Sequence, residues 1–190
     1  TCIISQEIDS YDIQELNEKN FKRSLTDFLE YLKIPNQSNN DSGLISNNQF
    51  LDSIFKDLDF SSKSIYFQNT PYFYAETKTN HEYTILFYLQ LDGQPTDISL
   101  WNQPDAYLPV IKKKKDSIFS ISDIEKAVKN PKEHYVFARS SSDSKGPVFS
   151  LVSALKIIKE NKIKIPYNIK VIGDFKEELE NNKPTDNQAN

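Results

Sequence analysis

The chain has 190 residues, 37% of them hydrophobic and 26% charged, proportions that suit one folded unit with a sizeable core. A formal net charge of -4 argues against nucleic acid as the main partner, and no run approaches the roughly 18 consecutive apolar residues needed to span a bilayer. The single cysteine, Cys2, excludes an intrachain disulfide and a cysteine-rich zinc site.

Residues Ile8 to Lys19 are polar and acidic and read as a short tether or an early helix, which sets residues 1–20 apart from the unit at 21–180. Phe21, Leu25, Phe28, Leu29 and Leu32 recur at helical spacing, and Pro35 closes that helix. A second amphipathic helix is expected from Asn48 to Leu58. Ser64 to Gln68 and Tyr72 to Lys78, separated by Asn69, Thr70 and Pro71, predict paired strands or a hairpin. The near-continuous apolar run from Thr84 to Leu91 predicts a central strand covered on both faces.

Beyond it, Gly93 and Pro95 mark a turn, and an irregular connection carries Trp101. The basic run Lys112 to Lys115 lies between strand-like residues and Asp116 and reads as a solvated turn. Ser122 or Asp123 caps a short helix ending near Lys129, and Tyr135 to Ala138 forms a short strand. Gly146 and Pro147 begin a helix, proline being suited to a first turn, with Val148, Leu151, Val152, Leu155 and Ile158 as its buried stripe. A last strand follows at Tyr167 to Ile172, and residues 181–190 form a polar tail or loop. Helices alternating with apolar strands predict an α/β fold, a three-layer α/β/α sandwich with a mixed central sheet.

Three of the strand-like runs end in carboxylates. Tyr83 to Leu91 runs into Asp92, Tyr135 to Ala138 precedes Asp143, and Tyr167 to Ile172 precedes Asp174, Glu177 and Glu178. Ligands of open α/β sheets bind beyond the carboxyl ends of strands, so acids placed there can converge on one cation, a pattern that points to hydrolase chemistry. His81 and His134 precede their strands and are expected in surface loops at the opposite edge. Ser140, Ser141 and Ser142 lack the glycine-flanked elbow of a serine nucleophile. Arg139 and Lys145 flank Asp143, where they either orient a substrate carboxylate or, more commonly for such charges, balance repulsion among acids.

The segments around these acids read LFYLQLDGQPTD from Leu86, FARSSSDSKGPV from Phe137 and VIGDFKEEL from Val171. Together and in this order they resemble the M20 family of dinuclear zinc peptidases and related amidohydrolases. LEYLKIPNQS from Leu29 is similar to the helix and opening loop of that family's catalytic domain, and Trp101 to Val110 to the segment between its first two motifs. The resemblance covers Phe21 to about Glu178. It implies that Asp143 bridges two metal ions, that Glu177 is the general base, that Glu178 is the next metal ligand, and that Asp92 orients the first ligand.

Three departures stand out. Gln90 occupies the position where the family has histidine. Residues two apart in a strand share a face, so Gln90 and Asp92 point the same way, and a glutamine amide can turn its oxygen toward a cation and its NH₂ toward the carboxylate. A neutral amide oxygen suits magnesium, manganese or calcium better than zinc, so zinc affinity is expected to fall. After Glu178 the chain has Leu179, Glu180, Asn181 and Asn182 instead of the family's glycine and serine. The family also uses a later aspartate and histidine and a lid or dimerisation domain, which are not found here, so the sequence reads as the leading part of a longer catalytic domain.

The resemblance thus implies a metal-dependent hydrolase of amide or peptide bonds, with a divalent metal, two zinc ions in a complete protein, and a small peptide or acylated amino acid as substrate. The other reading is a catalytically impaired relative acting as an envelope or interaction protein. Thr1 and Cys2 fit either a lipoprotein remnant anchored through Cys2 or a trimmed chain with a free thiol, which leaves envelope and cytoplasm both open. A homodimer formed through a missing lid domain is a further expectation of the family.

Overall fold

The computed structural model describes residues 10–67 and 70–176. The first helix, α1 (Ser10–Leu32), is continuous through residues 20 and 21, where the sequence placed a boundary. Its side chains meet the other helices: Phe28 lies 5.6 Å from Phe149, and Tyr31 stacks on Phe50 with centroids 4.8 Å apart. Helix α2 (Asp41–Asp57) starts seven residues before the apolar stripe that predicts it, because Asn40 caps it, its side chain accepting from the Gly43 N–H at 3.0 Å.

Strands β1 (Phe60–Phe67) and β2 (Thr70–Thr77) form the expected hairpin, with Phe60 opposite Thr77. β3 (Thr84–Gln90) runs parallel to β7 (Asn168–Asp174), and β2 runs antiparallel to β7, giving a mixed sheet in the order β1-β2-β7-β3. A second sheet, all antiparallel, holds β4 (Val110–Lys115), β5 (Ile118–Ile121) and β6 (His134–Phe137) in the order β5-β4-β6. Helix α3 (Ile124–Lys129) begins where Asp123 accepts from the Lys126 N–H, and α4 (Lys145–Glu160) begins at the predicted Gly146 and Pro147.

β7 shows why the helices dock where they do. Ile169, Val171 and Gly173 alternate on one face and are buried, and they join Phe73 and Ala75 of β2 against Leu51 and Phe55 of α2 and Val148 and Val152 of α4. Each of the buried Ile, Val, Leu and Phe side chains contributes about 1.5–3 kcal/mol by leaving water. Glycine at 173 leaves room for Leu91, since a Cβ there would run into the Leu91 side chain and lie 3.1 Å from the Cβ of Phe73.

The α/β class with a mixed sheet is as predicted, and three details differ. β3 is an edge strand among the described residues, with Leu86 57% and Tyr88 56% exposed, because antiparallel β2 takes the interior place beside β7. Lys112 to Lys115 form a strand, not a turn: Lys112 and Lys114 lie over the rings of Phe137 and Phe119 at 4.3 and 5.7 Å, which gives their stems apolar cover in extended backbone. The short strand before Asp143 belongs to the second sheet, since its residues pair with β4 rather than with β3 or β7.

Candidate metal centre

The parallel pair β3 and β7 brings two carboxyl ends to one rim. Gln90 sits opposite Asp174, and the Leu91 N–H donates to the Asp174 carbonyl at 2.7 Å. Asp92 follows, buried to 2% exposure. The turn Ser140–Ser144, which carries Asp143 into the N-terminus of α4, closes against it: the Ser144 hydroxyl donates to the Asp92 carbonyl at 3.0 Å. Arg139 makes a further tie between the same two loops by donating to the Pro95 carbonyl at 3.1 Å. The segments bearing Asp92 and Asp143 are therefore neighbours, although 50 residues separate them.

Asp143 is exposed, and it makes no hydrogen bond or ion pair among the described residues. It precedes a 16-residue helix, whose positive end favours a carboxylate. The peptide bond between Asp143 and Ser144 is cis. Asp174, by contrast, is engaged, accepting from the Tyr88 hydroxyl and from the Lys176 N–H, both at 2.9 Å. Glu177 and Glu178 lie outside the described residues, as do Cys2 and the tail at 181–190. Among the described residues, no three His, Cys, Asp or Glu side chains gather into a metal-holding group. By donor type, the Asp143 carboxylate and the Gln90 amide oxygen suit a hard divalent cation rather than a soft one.

The flanking cations act otherwise than expected. Lys145 is wholly buried, its Nζ donating to the carbonyls of Tyr31 at 2.8 Å and Ile34 at 2.5 Å and lying 4.4 Å from the Tyr31 ring centre. Burial pushes its pKa down to about 7. Arg139 lies 5.4 Å from the ring centre of Trp101. Neither balances the acids: one fastens the Asp143 turn to the end of α1, and the other fastens it to the loop after β3. His81 lies exposed ahead of β3 as expected, whereas His134 opens β6 itself, half-buried opposite Lys113 and bonded to Ser122 and the Asn130 carbonyl, rather than lying in a surface loop.

Four residues of this region carried no role in the sequence reading: Asn36, Ser140, Ser144, and Lys145 as an anchor. Lys145 had a usable signal, because a lysine in the first turn of a helix opposes the helix dipole unless something else holds it. Ser140 adopts φ 62, a left-handed conformation costing a non-glycine residue roughly 1–2 kcal/mol, and only the structure shows that its hydroxyl meets Asn36.

No family profile matches the sequence, and no curated protein matches it. Solved structures do match. Human carnosine dipeptidase 1 aligns with a TM-score of 0.63 at 22% identity, over 87% of this chain and 33% of that one. The M20 family metallo-carboxypeptidase Sso-CP2 from Sulfolobus solfataricus gives 0.63 at 22%, over 82% and 31%. The di-peptidase Dug1p from Saccharomyces cerevisiae gives 0.68 at 16%, over 86% and 34%. The chain therefore has the α/β fold of the M20 metallopeptidases and spans about a third of the length of these structures.

Proposed function

We propose that the protein is a metal-dependent hydrolase of amide or peptide bonds in small substrates, dipeptides or acylated amino acids. The observation that carries the reading is the junction of the Asp92 loop and the Asp143 turn at the carboxyl ends of two parallel strands, in a fold shared with dipeptidases. Asp143, Gln90 and Glu178 would hold the divalent ions, zinc in a complete protein or a harder cation as Gln90 favours. Asp92 would fix the Gln90 amide by accepting from its NH₂. Glu177 would take a proton from the attacking water and pass it to the leaving amine. Bound metal supplies Lewis-acid polarisation of the scissile carbonyl and a more acidic water.

The reading of a catalytically impaired relative draws on Gln90, the amide in a histidine's place. One set of measurements separates the two. The intact protein is expected to hold a divalent ion and cleave dipeptides or acylated amino acids, Gln90→His to raise zinc affinity about 10-fold or more, and Glu177→Gln to abolish turnover while keeping the metal. An intact protein holding no divalent ion, with Gln90→His restoring neither binding nor hydrolysis, ends the enzyme reading.

A further inference from the structure

We propose that Asn36 is the positioning residue that sets the spacing between the two loops of the candidate metal centre. The inference rests on that proposed centre and adds a residue to it. Asn36 is buried in the connection between α1 and α2 and touches both loops at once. Its Nδ2 donates to the Leu91 carbonyl at 2.9 Å, and its own carbonyl accepts from the Gly93 N–H at 2.8 Å, so it grips the backbone on either side of Asp92. Its Oδ1 accepts from the Ser140 hydroxyl at 3.0 Å, which holds the turn that delivers Asp143.

Two further observations show that the joint is built to close tolerances. A Cβ at Gly93 would strike the Ser140 Oγ and lie 3.0 Å from the Asn36 Oδ1, so glycine there lets the two loops close around the asparagine. Ser140 stands in the left-handed region, where glycine would be relaxed, so serine at that position is best explained by its hydroxyl. The direct ties, Ser144 to Asp92 and Arg139 to Pro95, join the loops to each other. Asn36 joins both to the end of the helical layer, next to the carbonyls of Tyr31 and Ile34 that anchor Lys145. Rotation of either loop about the direct ties is then blocked.

The test compares Asn36→Ala and Ser140→Gly with a core control, Val152→Ala, in the intact protein. Ser140→Gly removes the hydroxyl but relaxes the backbone, so it stays folded even where Asn36→Ala does not. Amide hydrogen exchange is expected to speed up about 10-fold at both 91–93 and 140–145 in the two variants, and at neither loop in the control. Manganese affinity, measured by calorimetry, is expected to fall about 10-fold in the two variants and to hold in the control. Exchange that rises in one loop only, in neither, or equally in the control overturns the proposal, as does measurable manganese binding of equal affinity in all forms. If no form binds manganese or zinc while both loops still loosen together, the spacing role stands and the hydrolase reading falls.

Discussion

The two sheets of this protein are held by different forces. In β1-β2-β7-β3 one face is dry, and Phe55 of α2 sits against Phe60 and Phe73 with centroids 5.2 and 5.1 Å away. In β5-β4-β6 the rings of Phe119, Tyr135 and Phe137 meet edge to face at 5.1–5.7 Å under lysine stems, while Ile118 and Ile121 are 73% and 82% exposed. Apolar burial scales with area removed from water, so the first sheet can hold a rigid rim for chemistry. The second adds only a small buried patch at Ile111 to its strand ladder and a few ring contacts.

The comparison can be broken by substitution. Phe55→Ala is expected to cost about 3–5 kcal/mol, read from urea unfolding, because it empties the centre of the dry face. Phe119→Ala should cost about 1 kcal/mol, since the ring is already 43% exposed and loses chiefly its ring contacts. Near-equal values would show that the two sheets share one mode of stabilisation.

The smallest effect lies at the rim of the dry face. Burial alone would raise the pKa of Asp52, but hydrogen bonds from Lys56 at 2.6 Å and Ser62 at 2.7 Å outweigh it and hold the carboxyl below its ordinary range. A folded-state pKa below the unfolded one adds stability above the ordinary value, and that stability is lost as pH falls through the folded value. Asp52→Asn should therefore cost under about 1 kcal/mol at pH 7, with the deficit vanishing in urea titrations repeated well below the ordinary aspartate pKa of about 3.9. A deficit unchanged in acid would show that the carboxylate charge contributes nothing.

Local periodicity explains what could be read early. The stripe Val148, Leu151, Val152 and Leu155 after Gly146 and Pro147 marked α4, and Asp123 marked its own cap. Asp92 and Asp143 were singled out because each comes after an apolar run, and the structure brings the loops that carry them together. The lysine run misled because alternate lysines along a strand look the same in sequence whether water or aromatic rings lie beside them, and the rings come from residues 119 and 137. Asn36 gave no signal, because an asparagine after a proline reads as an ordinary loop residue.

By itself the sequence determined where α4 and the strands β1, β2, β3, β6 and β7 fall, and the order in which the acids follow them, since the spacing of apolar residues is written locally along the chain. The tertiary structure alone decided that β2 rather than β3 lies inside the sheet, that Lys145 is buried on the carbonyls ending α1, and that Asn36 joins two distant loops. A pattern specifies the face a segment must bury. The partner that covers it is chosen by contacts between residues tens of positions apart, and those are settled only when the whole chain packs.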